Sequence, residues 1–181
     1  MKATGITRRI DDLGRVVIPK EIRRTLRIRE GDPLEIYTDH NGEIILKKYS
    51  MMGELGDFAR QYADALSQTT GCIVAIADRD MVIATAGGGK KELLQRPVSR
   101  ELEQVIDDRQ SVLAAGEEKE YRSIADEKEH FSFEAISPII CEGDAVGAVA
   151  LLSRERKEPF GETEQKLTAT AATFLGKQME Q

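Results

Sequence analysis

The sequence of 181 residues lacks the features that mark secreted and membrane-spanning proteins. Its two cysteines, Cys72 and Cys141, are too few for a disulfide framework and fit a reduced compartment. No apolar run approaches the ~20 residues that a membrane helix needs, and the start MKATGITRRI has no apolar stretch behind its charges. We therefore expect neither a secretory signal nor a membrane partner. Tyr37 is the single aromatic residue in 1–48, so stacking of single-stranded bases is not favoured there.

The charge of the chain is unevenly distributed. The net charge of −6 excludes a uniformly basic coat that would bind nucleic acid everywhere. Residues 1–48 nevertheless carry a net charge of +3, residues 1–29 carry +6, and residues 49–181 carry −9. A basic head on an acidic body predicts two units with different partners, of which the head would meet a polyanion.

The head reads as two hairpins around a short helix. The pattern predicts strands at 5–10, 15–18, 34–38 and 43–48, and a helix at 20–27 that follows Pro19 and buries Ile22 and Leu26. The Asn41-Gly42 pair is a strong hairpin signal. A unit of this size with so few apolar residues is rarely stable alone without disulfides or metal. We therefore expect the head to form an intertwined dimer.

The body reads as an antiparallel sheet flanked by helices, after a linker at about 49–53. The predicted order of elements is α-β-β-α-α-β-β-α, ending in a helix at about 162–179. The fold class is therefore α+β, with domains at 1–50 and 51–181. Small residues in the last helix, such as Ala171 and Ala172, also allow close contact with a second chain.

The two halves resemble known families. The stretch DDLGRVVIP at 11–19, followed by IRRTL at 22–26, is similar nearly residue for residue to the AbrB-like swapped-hairpin DNA-binding domain of bacterial transition-state regulators. The stretch PIICEGDAVGAVALL at 138–152 resembles the strand-turn-strand of a GAF-type sensor domain. The first resemblance implies that Arg8, Arg15, Arg23 and Arg24 contact DNA.

The residues themselves favour the same chemistry for these arginines. A guanidinium group binds phosphates and guanine edges in a bidentate way that lysine cannot match. The alternative is a solvated charged face with local ion pairs such as Glu21 with Arg24. Four arginines within 17 residues favour DNA contact, by phosphate binding together with groove shape.

Other candidate sites are weaker. Gly87-Gly88-Gly89-Lys90-Lys91 lacks the first glycine and the Ser or Thr of a phosphate-binding loop, so it is interpreted as a turn. Together with Arg96 it is a possible pocket for an anionic ligand. His40 and His130 have no metal-ligand spacing, so no metal and no cofactor is expected. Some GAF-fold proteins are cysteine-dependent sulfoxide reductases, but no His or Arg activates Cys72 or Cys141, and we expect no catalytic residues and no enzyme.

These patterns together predict a transcription factor that binds double-stranded DNA as a homo-oligomer. The N-terminal domains would form a dimer and the C-terminal domains would complete a tetramer. The resemblance implies control of sporulation by activation and repression, in the bacterial cytoplasm at the nucleoid, with an unknown small-molecule effector. Two alternatives are an antitoxin of a toxin–antitoxin pair, which the long structured body disfavours, and a GAF-fold enzyme with a DNA-binding appendage.

Overall fold

The computed structural model describes residues 5–49, 56–88, 90–126, 130–155 and 158–180. The chain divides into two compact units, Met1–Tyr49 and Ser50–Gln181, which we call the first and second unit. The predicted linker, 49–53, lies outside the described residues except for Tyr49, whose backbone N–H donates to the carbonyl oxygen of Pro33 at 3.0 Å. The domain limits 1–50 and 51–181 stay predictions, because compactness alone does not make a unit fold independently.

The first unit contains a short helix and a hairpin. Helix α1 spans Lys20–Thr25, directly after Pro19, and the strands β1 (Leu34–Thr38) and β2 (Ile44–Lys48) pair antiparallel. The register runs from Leu34 opposite Lys48 to Thr38 opposite Ile44. The hairpin turn at Asn41-Gly42 thus forms where the sequence predicts it.

Two expectations for the first unit are wrong for the single chain. Residues 5–10 and 15–18 form no strand, because a strand needs a neighbouring strand to pair with, and none of the described strands pairs with these segments. The predicted buried stripe of the helix is also absent: α1 has no buried residue, and Leu26 is 59% exposed. A two-stranded sheet is too small to bury the apolar side chains of the helix beside it.

The second unit is a five-stranded antiparallel sheet between two helical layers. Its elements are α2 (Gly56–Thr70), β3 (Ile73–Asp78), β4 (Val82–Ala86), α3 (Lys90–Leu93), α4 (Arg100–Asp108), β5 (Val112–Ala115), β6 (Phe133–Cys141), β7 (Asp144–Ser153) and α5 (Glu162–Met179). The strand order is β4-β3-β7-β6-β5. The structure confirms the α+β class and adds β5, which the sequence analysis missed.

Each face of the sheet has its own core. Leu66 of α2 and Leu175 of α5 pack on one face against Val74, Val149 and Leu151. On the other face Leu102 and Ile106 of α4 pack with Phe131, Ile136 and Leu152 in a second core. Alternate strand residues therefore point to opposite helical layers, as the period of two in a strand requires.

Glycine permits the closest approach between α5 and the sheet. A Cβ atom at Gly176 would lie 2.0 Å from the carbonyl oxygen of Ile140, a rigid backbone atom of β6. In the sheet itself, a Cβ atom at Gly147 would lie 2.1 Å from the carbonyl oxygen of Ala77. Both positions therefore depend on the missing side chain.

Candidate nucleic-acid interface

The four predicted DNA-contacting arginines lie on three segments of the first unit. Arg8 lies before the 11–15 turn, Arg15 closes that turn, and Arg23 and Arg24 are neighbours on α1. Arg8, Arg15 and Arg24 are exposed, whereas Arg23 is half-buried. Their role in DNA binding stays a prediction.

Asp11 organises the turn that carries Arg15. One carboxylate oxygen, Oδ1, accepts from the backbone N–H groups of Leu13 (3.0 Å) and Arg15 (2.7 Å). The other, Oδ2, accepts from Nε of Arg15 at 2.8 Å. Gly14 has φ of +75°, a left-handed conformation that favours glycine. The guanidinium group of Arg15 is thereby bound to the turn through its Nε edge.

The same contacts lower the pKa of Asp11. The backbone N–H of Arg15 contributes most, followed by its guanidinium group. Both favour the charged form of the carboxylate. The depressed pKa means that the turn gains stability above the ordinary pKa of aspartate and loses it only as the pH falls through the lowered value. The Asp11–Arg15 contact is therefore present at neutral pH.

The hairpin turn at 39–43 has the same architecture. Oδ1 of Asp39 accepts from the backbone N–H groups of Asn41 (3.0 Å) and Glu43 (2.8 Å). In both turns the N–H of the first residue donates to the carbonyl of the fifth at 3.1 Å, and the fourth residue is a glycine with positive φ. The two turns differ in their last residue, which is Arg15 in one and Glu43 in the other.

Helix α1 presents its two arginines differently. Nε of Arg23 is buried and has no hydrogen-bond partner among the described residues, whereas the Arg24 side chain is exposed. The structure describes no ion pair between Glu21 and Arg24, which was the main alternative for this face. An unpaired buried N–H is unfavourable, so a partner outside the chain would stabilise Arg23.

Sequence reasoning missed a polar contact network next to these arginines. Nζ of Lys48 lies 3.1 Å from Oδ2 of Asp32 and donates to the carbonyl oxygen of Arg27 at 3.0 Å. Burial pushes the pKa of Asp32 upward, but the backbone N–H of Arg29 and the ammonium group of Lys48 outweigh it, so that pKa is lowered. Lys48 therefore stabilises the fold of the first unit through these contacts. The turn at Gly31-Asp32-Pro33 marks the acceptor, Asp32, in the sequence. Its donor, Lys48, lies too far along the chain for a sequence pattern to indicate the contact.

The first unit exposes an unusual number of large apolar side chains. Leu13 is 70% exposed, Val17 71% and Ile36 68%. The others are Ile10, Val16, Leu26, Tyr37, Ile44 and Leu46. An exposed apolar surface of this kind marks an interface.

The predicted ligand residues at 87–96 are tied to the surrounding backbone. Gly87 lies against β3 and α2, since a Cβ there would be 2.4 Å from both the carbonyl oxygen of Cys72 and Oγ of Ser67. The carbonyl oxygen of Arg96 accepts from the N–H of Val82 at 2.9 Å. Gly88 has open space around it, whereas Gly89 lies outside the described residues, as do the side chains of Lys90 and Lys91. A ligand pocket here stays a prediction.

Thiol and metal chemistry find little support in the described residues. Cys72 and Cys141 are both buried. Burial raises the pKa of the Cys141 thiol, and the nearby Glu142, Glu180 and Asp144 raise it further. A raised pKa opposes formation of the reactive thiolate.

The part of the chain that the structure describes contains no cluster of three or more His, Cys, Asp or Glu residues that could hold a metal ion. Within the same residues, no helix is long and apolar enough to cross a membrane.

Family models match both units. Residues 54–180 match the family described as stage V sporulation protein T C-terminal, transcription factor. Residues 7–53 match the family described as antidote-toxin recognition MazE, bacterial antitoxin. Residues 54–180, which make up most of the chain, are thus related to a transcription factor family.

Similar proteins extend these matches. The chain is 54% identical to stage V sporulation protein T of Bacillus subtilis over 181 residues, which is 100% of both chains. It is 57% identical over 63 residues to the transition state regulatory protein AbrB of the same organism, covering 32% of this chain and 65% of that protein. Among solved structures, the GAF-B domain of DevS from Mycobacterium smegmatis has a TM-score of 0.54 at 12% identity and covers 69% of this chain and 93% of that one. This last similarity concerns the fold alone and confirms the predicted GAF-like architecture.

Proposed function

The chain belongs to the family of stage V sporulation protein T, and on that premise we propose that it is a DNA-binding transcription regulator of sporulation genes, acting as activator and repressor. The observation that carries the proposal is the identity of 54% over the full length of both chains. A second relative supports it separately, since the chain is 57% identical over 63 residues to a transition state regulatory protein. The cytoplasm and the nucleoid are the locations that this role requires.

We propose duplex DNA as the partner of Arg8, Arg15, Arg23 and Arg24. Three of these side chains are exposed, and the buried Nε of Arg23 has no hydrogen-bond partner in the part of the chain that the structure describes. Charge-assisted hydrogen bonds to phosphates and bidentate contacts to guanine are the interactions that such guanidinium groups form.

A second copy of the chain is the proposed occupant of the apolar surface of the first unit. Residues 5–10 and 15–18 flank a closed hairpin turn, and neither segment is a strand in the described part of the chain. Exchange of these segments with a second copy would complete their hydrogen bonds and cover side chains such as Val17 and Leu26. The dimer would then present two sets of the four arginines.

The second unit supplies the surface for the proposed tetramer. Phe174 of α5 is 38% exposed and stacks on Phe58 and Tyr62 of α2, with ring centroids 5.7 and 5.4 Å apart. An exposed aromatic cluster on two helices suits contact with another copy. Two different dimer contacts in one chain close into a tetramer.

The antitoxin alternative rests on the family match at 7–53. That segment is shared with the transition state regulator, so it does not separate the two functions. The match of 54–180 to a transcription factor family favours the regulator. The proposal assigns no enzymatic reaction, and a small-molecule effector of the second unit is part of it.

Binding to DNA is expected to depend steeply on salt. If a dimer neutralises about eight phosphates, log K falls with log salt at a slope near −7, because each neutralised phosphate releases counterions. The measurement is a fluorescence titration of the full chain at several salt concentrations, with a duplex that the protein has selected from a random pool. A slope near zero would exclude the arginine surface as the contact.

Asp11→Asn is expected to weaken DNA binding on the order of tenfold without unfolding the turn. Asparagine keeps an oxygen for the N–H groups of Leu13 and Arg15 but loses the charge that holds Nε of Arg15. Arg15 must then be ordered when DNA binds, which costs affinity in each copy. The control is Asp39→Asn, which makes the same charge change in the matching turn, where the last residue is Glu43. Equal effects of the two variants in the same titration would show that Asp11 does not position Arg15.

A further inference from the structure

Strand β5 lies at an edge of the sheet in the second unit, and a cleft opens beside it. The strand order leaves β5 paired with β6 alone among the described strands. The cleft has a volume of about 490 Å³ and lies between β5, helix α4 and the segment at 120–122. Its apolar wall is formed by Val105, Val112 and Leu113. The predicted ligand residues at 87–96 are not part of this lining, so the cleft is a separate site.

The backbone of β5 shows which of its polar groups face away from the sheet. Both groups of Ala115 point away from β6, because its N–H donates to Oε2 of Glu118 at 2.9 Å and its carbonyl oxygen accepts from the N–H of Glu118 at 2.9 Å. In an antiparallel pair, successive residues alternate between facing the neighbouring strand and facing away from it. Leu113, two residues earlier, therefore also turns its N–H and its carbonyl away from β6. Among the described residues, no turn or side chain bonds to these two groups.

The cleft reaches this open backbone edge. The side chain of Leu113 packs on the core shared with α2 and α5, whereas that of Val112 packs on the core shared with α4. Leu113 nevertheless lines the cleft, so the cleft includes the edge of the strand as well as its α4 face. The four residues of β5 extend over about 13 Å, which is enough to pair with an extended segment of similar length.

The rim of the cleft is acidic. Oε2 of Glu101 accepts from the backbone N–H of Ser123 at 2.7 Å, which fixes this carboxylate at the rim. Asp108 and Glu120 are exposed residues of the same lining. The guanidinium group of Arg122 is turned onto its own segment, where Nη1 donates to two backbone carbonyl oxygens at 2.8 and 2.9 Å. A positively charged partner would therefore be attracted to this rim.

The same charges disfavour a second copy of the chain as the occupant of the edge. If two β5 strands paired with each other, the carboxylates of both rims would be brought together, and like charges at a strand edge oppose such pairing. An extended segment of opposite charge meets no such repulsion. Its backbone can bond to the open edge whatever its side chains are, so the charge of the rim selects the partner.

We propose that β5 takes up an extended, basic peptide segment of a partner protein as a sixth strand. The residue of the segment that lies opposite Leu113 would accept from its N–H and donate to its carbonyl oxygen, with its own side chain on the α2 and α5 face. The residues on either side would direct basic side chains to the α4 face, toward Glu101 and Asp108. Main-chain hydrogen bonds would supply the binding, and the alternate basic side chains would supply the specificity.

The test is the fluorescence anisotropy of a dye-labelled five-residue peptide that alternates lysine and valine, titrated with the full chain. Two N-methylated forms of the peptide separate strand addition from charge attraction. Methylation of the valine backbone nitrogens removes the N–H groups that would face β5. Binding is then expected to weaken by about tenfold or more, because a donor is lost and the methyl group holds the strands apart. Methylation of the lysine backbone nitrogens alters the opposite edge of the peptide and is expected to leave binding intact.

Variants of the chain test the contribution of the rim. Asp108→Asn and Glu120→Gln are each expected to weaken binding of the lysine–valine peptide by about two- to fivefold, the range of an exposed ion pair. Asp64→Asn, at an exposed site on α2, makes the same change in charge away from the cleft and is expected to leave binding unchanged.

Four results would overturn the proposal. Three are no binding of the lysine–valine peptide, equal binding of its two methylated forms, and equally tight binding of a peptide that alternates glutamate and valine. The fourth comes from sedimentation velocity of the full chain with and without the peptide: dissociation of an oligomer on peptide binding would assign the edge to a second copy. None of these measurements involves DNA, so strand addition can fail while DNA binding by the first unit stands.

Discussion

Alanine in place of Arg15 or Arg23 is expected to abolish specific DNA binding and leave the fold intact. A hydrogen bond to a charged group contributes about 1.5–3 kcal/mol, and a dimer loses it twice. The combined loss of roughly 3–6 kcal/mol corresponds to a fall in affinity of about 100-fold or more. Gel-shift titration with a self-selected duplex measures the loss, and circular dichroism checks the fold.

The matched control is Arg60→Ala. Arg60 is an exposed arginine of α2 that pairs with Asp57 at 3.4 Å, so its removal makes the same change in net charge away from the first unit. Its affinity for DNA is expected to equal that of the unmodified chain. Normal affinity in either Arg15→Ala or Arg23→Ala would refute the assignment of that arginine.

Gly176→Ala is expected to destabilise the second unit by about 1–3 kcal/mol, the usual range for overpacking a core. The added methyl group would lie 2.0 Å from the carbonyl oxygen of Ile140, and neither the helix nor the strand can yield there without moving its neighbours. Alanine is the better helix former by about 1 kcal/mol, so intrinsic propensity alone would predict the opposite sign. Urea denaturation of the full chain measures the change.

Gly56→Ala is the control for this substitution. Gly56 begins α2, has no atom within 4 Å of the position that a Cβ would occupy, and has no positive φ. Alanine there is expected to be neutral or slightly stabilising. A Gly176→Ala variant as stable as the unmodified chain would mean that α5 and β6 approach less closely than the structure has them.

Local signals in the sequence account for the elements that were predicted well. Helix α5 spans Glu162–Met179, as the apolar spacing of Leu167, Ala171 and Leu175 predicts. The N–H of Gly161 donates to the carboxylate of Glu164 at 2.8 Å, which fixes the start of the helix. Strand β2 and its turn follow from Asn41-Gly42. In these cases the residues that decide the structure are close together in sequence.

The features that were missed depend on distant partners. Strand β5 is four residues long and is defined by its pairing with β6, from Val112 opposite Ile136 to Ala115 opposite Phe133. Glu134 of β6 is fully buried but gives no sequence signal of burial, because its surroundings come from Arg122, whose backbone N–H donates to Oε1, and from Glu101 of α4. The exposure of Leu26 is the converse case: its apolar spacing with Ile22 predicts a buried stripe, but none of the described residues buries it.

The paired turns at 11–15 and 39–43 also set an order for assembly of the first unit. Their hydrogen bonds join residues at most four positions apart, so each turn closes within microseconds of the start of folding. In the proposed exchange of the segments that flank the 11–15 turn, two chains must meet, so its rate would depend on protein concentration. At low concentration, newly made chains would therefore have both turns formed while the segments that flank the 11–15 turn are not yet exchanged. The first unit would acquire its DNA-binding form only as the protein concentration rises.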